Sequence, residues 1–324
     1  MRKLVPALAV VMAAGCGYTG DPLPPLANIP AVVSDLSAIQ RGNRIIVHLT
    51  LPVMTTEGYP IKGEVMLDLR IGPLPTPFQY AVWEPTTTRV TEPPIEKGSA
   101  TYTIPSDAWA GRDAAIGVRV IGANGKASAW SALAVLPVVP PPETPRSVQA
   151  EATASGVRVA WQAAGMLFRV FRRSGTENFT PVGESPQSPY TDTSAEFGKM
   201  YVYRIQTIVK LAGNREAESE PSEDVAITPI DKFPPAAPAG LRVTAAPNTI
   251  ELSWDANAEP DLSGYRIYRS TDGGPFERIA EISTLPTYSD KAVERGKTYR
   301  YAITAFDQAG NESERSAPGE AMLE

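Results

Sequence analysis

Cysteine and histidine are almost missing from this chain of 324 residues, which has one of each, Cys16 and His48. A single thiol excludes an internal disulfide framework and any Cys-cluster metal site. A single imidazole, with no nucleophile motif nearby, leaves nothing from which to build a His-based triad. Positive charge is also short: 30 Lys and Arg stand against 36 Asp and Glu, for a net charge of −6, and the basic residues form no stripe. Nucleic acid and anionic lipid both need clustered Lys or Arg, so neither is a ligand held by charge alone. Long hydrophobic runs are absent too. The apolar stretch Leu4–Met12, interrupted by Pro6, falls well short of the roughly 20 residues a spanning helix needs. No segment keeps a 3.6-residue apolar period. What the chain has in excess is proline, 32 residues, about twice an average share. That composition favours short strands, turns and stiff connectors over long helices.

The N-terminus reads as an export signal. Met1-Arg2-Lys3 is a short positive region, Leu4–Met12 is apolar, and Ala13-Ala14-Gly15 supplies small residues before Cys16. Ala13-Ala14-Gly15-Cys16 resembles the lipobox of bacterial lipoproteins, although that family prefers Leu where Ala13 stands. The resemblance implies residues 1–15 as signal peptide, diacylglycerol on the Cys16 thiol, cleavage before it and acylation of the new amino group. Two or more acyl chains anchor stably, at about 0.8 kcal/mol per buried CH₂. An ordinary secretory signal ending beside a Cys is the alternative. Gly17, where the family uses Asp for inner-membrane retention, points to the outer membrane or cell surface. Residues 16–30 form a proline-rich tether, which at about 3.1 Å per residue would hold the first domain roughly 40 Å from the lipid. Its opening string, Cys16-Gly17 to Pro24-Pro25, is also similar to the start of the very small lipoproteins that accompany the lipopolysaccharide translocon.

Two stretches repeat each other. Val157, Val159, Trp161 match Ile250, Leu252, Trp254; Phe168-Arg169-Val170-Phe171-Arg172 matches Tyr265-Arg266-Ile267-Tyr268-Arg269. Tyr190-Thr191-Asp192 matches Tyr288-Ser289-Asp290, and Gly198-Lys199-Met200-Tyr201-Val202-Tyr203 matches Gly296-Lys297-Thr298-Tyr299-Arg300-Tyr301. Period-2 alternation punctuated by Gly, Pro, Asn and Asp predicts an all-β sandwich in each. The order of a Trp on the second strand, then a Tyr three residues after a Gly, resembles the fibronectin type III family. The resemblance implies that Trp161 and Trp254 are core tryptophans, and that Tyr201 and Tyr299 are corner tyrosines bonded back to the backbone. The predicted fold class is therefore all-β, with tandem immunoglobulin-like sandwiches in an extended array.

Residues 139–231 and 232–324 are the two clear modules. Residues 31–138 are read as a third, divergent one, with a different β-sandwich as the alternative. Ile45, Val47, Leu49 and Leu51 alternate but lack the Trp; Gly111 and Gly125 keep the interval of Gly296 and Gly310, with Ala114 at the corner position. Pro73–Pro94 is expected to be a long loop or irregular edge. The connectors Pro137–Pro145 and Pro229–Pro238 are short and stiff, so a rod on the order of 100 Å is expected. Residues 30–138 carry nine basic and nine acidic residues, 139–231 nine against twelve, and 232–324 ten against fourteen, so the acidity lies away from the N-terminus.

Little chemistry is legible. His48 alternates with Val47 and Leu49 and is expected on a solvent face. Asp255, Glu259 and Asp261 offer oxygens to a calcium ion, or simply form a solvated turn. Neither a cofactor nor a metal pattern is present. Strand parity turns Arg169, Phe171, Arg266, Tyr268 and Arg300 outward, either as a cation–π ladder covering the sheet or as a contact face. The sequence thus points to a lipid-anchored, non-enzymatic interaction or spacer protein of the cell envelope, docking to a protein or a glycan and not to nucleic acid. A polysaccharide-binding array, or an accessory lipoprotein of an outer-membrane assembly, is the alternative.

Overall fold

The computed structural model describes residues 27–91 and 98–324. Cys16, the signal segment and most of the tether lie outside them. The chain divides into two compact units, one holding the residues up to Pro140 and the other the residues from Pro141 onward, apart from the hairpin tip Leu211–Arg215.

In the first unit, the strands are β1 (Ser37–Arg41), β2 (Arg44–Thr50), β3 (Met66–Gly72), β4 (Thr88–Arg89), β5 (Ser99–Pro105), β6 (Asp113–Ile121) and β7 (Ala134–Pro137). Antiparallel pairing of β1 with β2 and β2 with β5 makes one layer; β4-β3-β6-β7 makes the other. Alternation on β2 sends Ile45, Val47 and Leu49 inward, where they meet Leu67, Leu69, Ile116, Val118 and Val120 from the facing sheet. His48 is exposed, with Nδ1 3.2 Å from Thr101 Oγ1. Ala114 is fully buried at the position where the other modules carry a tyrosine.

Pro73–Pro94, expected as a long loop or irregular edge, supplies the edge strand of its sheet and is more ordered than a loop. That stretch holds a helical turn, α1 (Tyr80–Trp83), a 3-10 turn at Glu84–Thr86 and strand β4; its last residues, from 92, lie outside the described part. The hydrophobic pattern hid this because the key side chain covers the outside of a sheet. Gly117 faces away from the core between Ile116 and Val118, and a Cβ there would sit 2.8 Å from both Trp83 Cη2 and Leu133 Cδ2. The missing side chain lets the fully buried Trp83 indole lie on the strand.

The second unit contains two sandwiches. Strands β8 (Arg146–Thr153), β9 (Gly156–Gln162) and β12 (Tyr190–Asp192) form one layer of the first of these. Its facing layer is built from β10 (Phe168–Ser174), β11 (Thr180–Ser185), β13 (Tyr201–Leu211) and β15 (Val225–Ile227), with β14 (Arg215–Glu218) in the same run of chain. The last sandwich pairs β16 (Arg242–Ala246), β17 (Thr249–Ser253) and β20 (Thr287–Asp290) in one layer. Its other layer is β19 (Glu277–Ile282), β18 (Leu262–Thr271), β21 (Thr298–Asp307) and β22 (Gly319–Met322). All three modules therefore share one topology: first, second and fifth strands in one sheet, fourth, third, sixth and seventh in the other. Three separate apolar clusters fill them.

A further feature unites the three, and its sequence signal is a pair of serines three residues apart. Val120 and Val118 donate their N–H groups to Ser128 Oγ and Ser131 Oγ at 3.0 and 3.2 Å. Thr207 and Ile205 do the same to Ser219 and Ser222, both at 2.9 Å. Ala305 and Ile303 repeat it with Ser313 and Ser316, at 2.9 and 3.0 Å. Serines read as turn residues in a sequence; here their hydroxyls accept from the sixth strand while their own N–H groups donate to its carbonyls, so side chain and backbone together complete the ladder.

Candidate functional site

Outward-facing positions of the third and sixth strands are engaged with one another. Arg169 reaches Glu184 and Glu216 at 2.6 and 2.8 Å. Burial would lower the Arg169 pKa, but its bonds to Glu216 and Glu184 outweigh that and raise it. Phe171 lies 5.9 Å from the Arg204 guanidinium, which also sits 3.8 Å over Phe179. In the last module Arg266 bonds Glu281 and Glu312 at 2.9 and 2.6 Å and stacks 4.5 Å over Phe306. Tyr268 donates its hydroxyl to Glu312 at 2.6 Å and carries Arg315 at 4.5 Å over its ring. Arg300 lies 5.9 Å from Phe276 and is the most open of these cations, with 43% side-chain exposure against 18% for Arg169 and Arg266. The five residues thus sit in cation–π and ion-pair ladders, Arg169 and Phe171 on the middle module and Arg266, Tyr268 and Arg300 on the last.

Trp161 and Trp254 are 5% and 4% exposed and meet Phe168 and Tyr265 edge-on at 5.2 and 5.1 Å. Tyr201 and Tyr299 accept backbone N–H bonds from Glu196 and Glu294, at 3.1 and 2.8 Å. Behind them lies a group that the repeat comparison marked only in part. Asp192, 1% exposed, receives the Tyr203 hydroxyl at 2.9 Å and Arg172 at 2.7 Å. Asp290 receives Tyr301 at 2.8 Å and Arg269 at 2.9 Å. All three residue types occupy matching positions in both repeats, which was the available signal. Burial opposes the Asp192 charge, yet its bonds to Ser194 and Tyr203 and the nearby Arg172 hold the pKa below the usual carboxylate value.

Of the acidic loop, only Asp261 enters a cluster. Asp255 points to Arg242, 3.9 Å away and largely exposed. Glu259 accepts the Ala236 N–H at 2.6 Å and the Asn257 amide at 3.2 and 3.4 Å; burial raises its pKa, and these bonds outweigh that and lower it. Carboxylate oxygens of Asp231, Asp261 and Asp307 lie within 4.8 Å of one another. Asp307 is 2% exposed and held by the backbone and side-chain nitrogens of Asn311, both at 2.8 Å. Calcium takes about six to eight oxygens, and this trio offers three carboxylates. Beside it opens a cleft of about 480 Å³ within the second unit, lined by Phe197, Phe233, Pro234, Pro235, Asp231, Glu259, Asp261 and Gln308 among others. The Phe197 and Phe233 rings stand side by side, 6.4 Å apart and tilted by 35°.

These features define a class: serial seven-stranded antiparallel sandwiches of immunoglobulin type, with buried polar groups that hold the sheets together. No protein-family model matches the sequence. Exoglucanase B of Cellulomonas fimi is 29% identical over 178 residues, 53% of this chain and 16% of that protein. Amylopullulanase of Thermoanaerobacterium saccharolyticum is 40% identical over 87 residues, 26% of this chain and 7% of that protein. The chain thus spans well under a fifth of either enzyme's length. Among solved structures, a Fn3-like protein from Clostridium thermocellum is 35% identical, with 26% of this chain and 90% of that one covered and a TM-score of 0.24. The fold itself is that of tandem fibronectin-type-III-like sandwiches. Among the described residues, no helix is long and apolar enough to cross a membrane.

Proposed function

We propose that this is an exported, lipid-anchored, non-enzymatic array of fibronectin type III modules, fixed to the envelope through Cys16 and serving as a spacer with docking faces. The observation that carries the reading is the sole cysteine, placed after Ala13-Ala14-Gly15 at the end of an export signal. The matches to small parts of much larger enzymes support a modular rather than catalytic role. Module limits of 31–138, 139–231 and 232–324 belong to the proposal, as does Arg300 with Tyr268 as the most accessible part of a contact face. Labelled palmitate should enter the protein, which should fractionate with membranes; Cys16→Ser should lose both properties. Label that persists in Cys16→Ser would refute the anchor.

A second reading is association with polysaccharide, favoured by the relatives named for glucan-degrading enzymes. Retention of the intact protein on insoluble starch or cellulose tests it.

A further inference from the structure

We infer that the cleft between the last two modules is a binding site for a short stretch of neutral polysaccharide, an inference that rests on the polysaccharide reading above. Its volume, about 480 Å³, falls in the usual range for small-molecule sites, about 300–1,000 Å³. The two walls differ in chemistry. Phe197 from the loop before β13, Phe233 from the connector, and Pro234, Pro235 and Pro260 make an apolar wall. Asp231, Glu259, Asp261 and Gln308, with Ser155 and Thr193, make a polar one that contains no Lys or Arg.

A hexose matches both at once. Its C–H face packs on aromatic rings, and its hydroxyls donate to carboxylates, where such charge-assisted bonds are stronger than neutral ones. The acceptors are in place for this. Glu259 is fixed by the Ala236 N–H and Asp231 by the Phe233 N–H at 3.1 Å. The Asp261 carboxylate has no hydrogen-bond or ion-pair partner among the described residues. The same carboxylates repel uronates, sulfates and phosphates, so the ligand is uncharged. Because the loop, the connector and the loop holding Asp261 come from different parts of the unit, the site exists only where the two modules are joined.

Calorimetric titration of the full-length protein in detergent with maltohexaose and with cellohexaose tests this. Binding is expected for at least one, with no response to polygalacturonate. Phe197→Ala, on an exposed loop, and Asp261→Asn should each weaken it by about tenfold or more, with thermal melting unchanged. Heat from neither oligosaccharide, or binding indifferent to both substitutions, overturns the proposal. So does a calcium chloride titration whose heat vanishes in Asp307→Asn while the saccharides give none, which would make the trio a metal site. Retention on insoluble starch or cellulose separates the two levels. If the wild type and both cleft variants are retained alike, the cleft is wrong and the polysaccharide reading stands; if none is retained and no oligosaccharide binds, both fall.

Discussion

Asp192 shows what a buried polar group does in this family of sandwiches. Its carboxylate is out of solvent, so its charge is tolerated only because Arg172, Tyr203 and Ser194 face it. Removing one partner leaves the other charge stranded: Arg172→Ala should lower stability by about 3–5 kcal/mol, measured by urea unfolding. The pH dependence follows from the directions. Asp192 and Asp68 have lowered pKa values, both against the pull of burial, Asp68 through Arg70 and Arg119. Their stabilisation is complete above the ordinary carboxylate value, about 4, and is lost as pH falls below it. Burial and the bond to Asp192 raise the Tyr203 pKa, and Tyr301 is raised likewise. That contribution is complete below about pH 10 and fades above it. A melting curve should therefore be flat between roughly pH 5 and 9 and fall on both sides. A continuing rise down to pH 3 would contradict this account.

The core tryptophans make a paired test. Trp161→Ala removes a large buried side chain and should cost about 3–5 kcal/mol. Trp161 Nε1 has no hydrogen-bond partner, so Trp161→Phe loses volume but no bond and should cost clearly less. Equal losses would mean the indole N–H matters.

At the level of elements, the alternating strands with Trp161 and Trp254, the corner tyrosines and the repeat itself were legible, because period 2 and large aromatics mark a half-buried sheet directly. The first module's shared strand topology was legible only in spacing. Its corner is Ala114, its outer tryptophan is Trp83, and the marker it shares with the other two is the serine pair, which no hydrophobic pattern displays. Ser131→Ala should leave the Val118 N–H unsatisfied and buried, costing about 1–3 kcal/mol, and Ser316→Ala should do the same to Ile303. If both are neutral, the serines are incidental to the fold. The junction cleft was illegible for another reason. Asp231, Asp261 and Asp307 lie far apart in sequence, and of the three acids nearest each other, Asp255 and Glu259 face different partners and only Asp261 joins the trio.

For the molecule as a whole, the three cores share no buried cluster, and the chain separates into two compact units after Pro140. Multi-domain chains of this kind need not unfold in one transition. A substitution in one core should then act on its own unit. Gly117→Ala pushes a methyl against Trp83 and Leu133 in the first unit and should cost about 1–3 kcal/mol as overpacking. Trp161→Ala acts in the second. In scanning calorimetry the two substitutions should displace different transitions, and the double variant should show both shifts, as expected for sites in separate cores with no shared partners. A single transition displaced by either change would mean that the array unfolds as one cooperative body, and the spacer role would then rest on that shared stability instead of on independently folded modules.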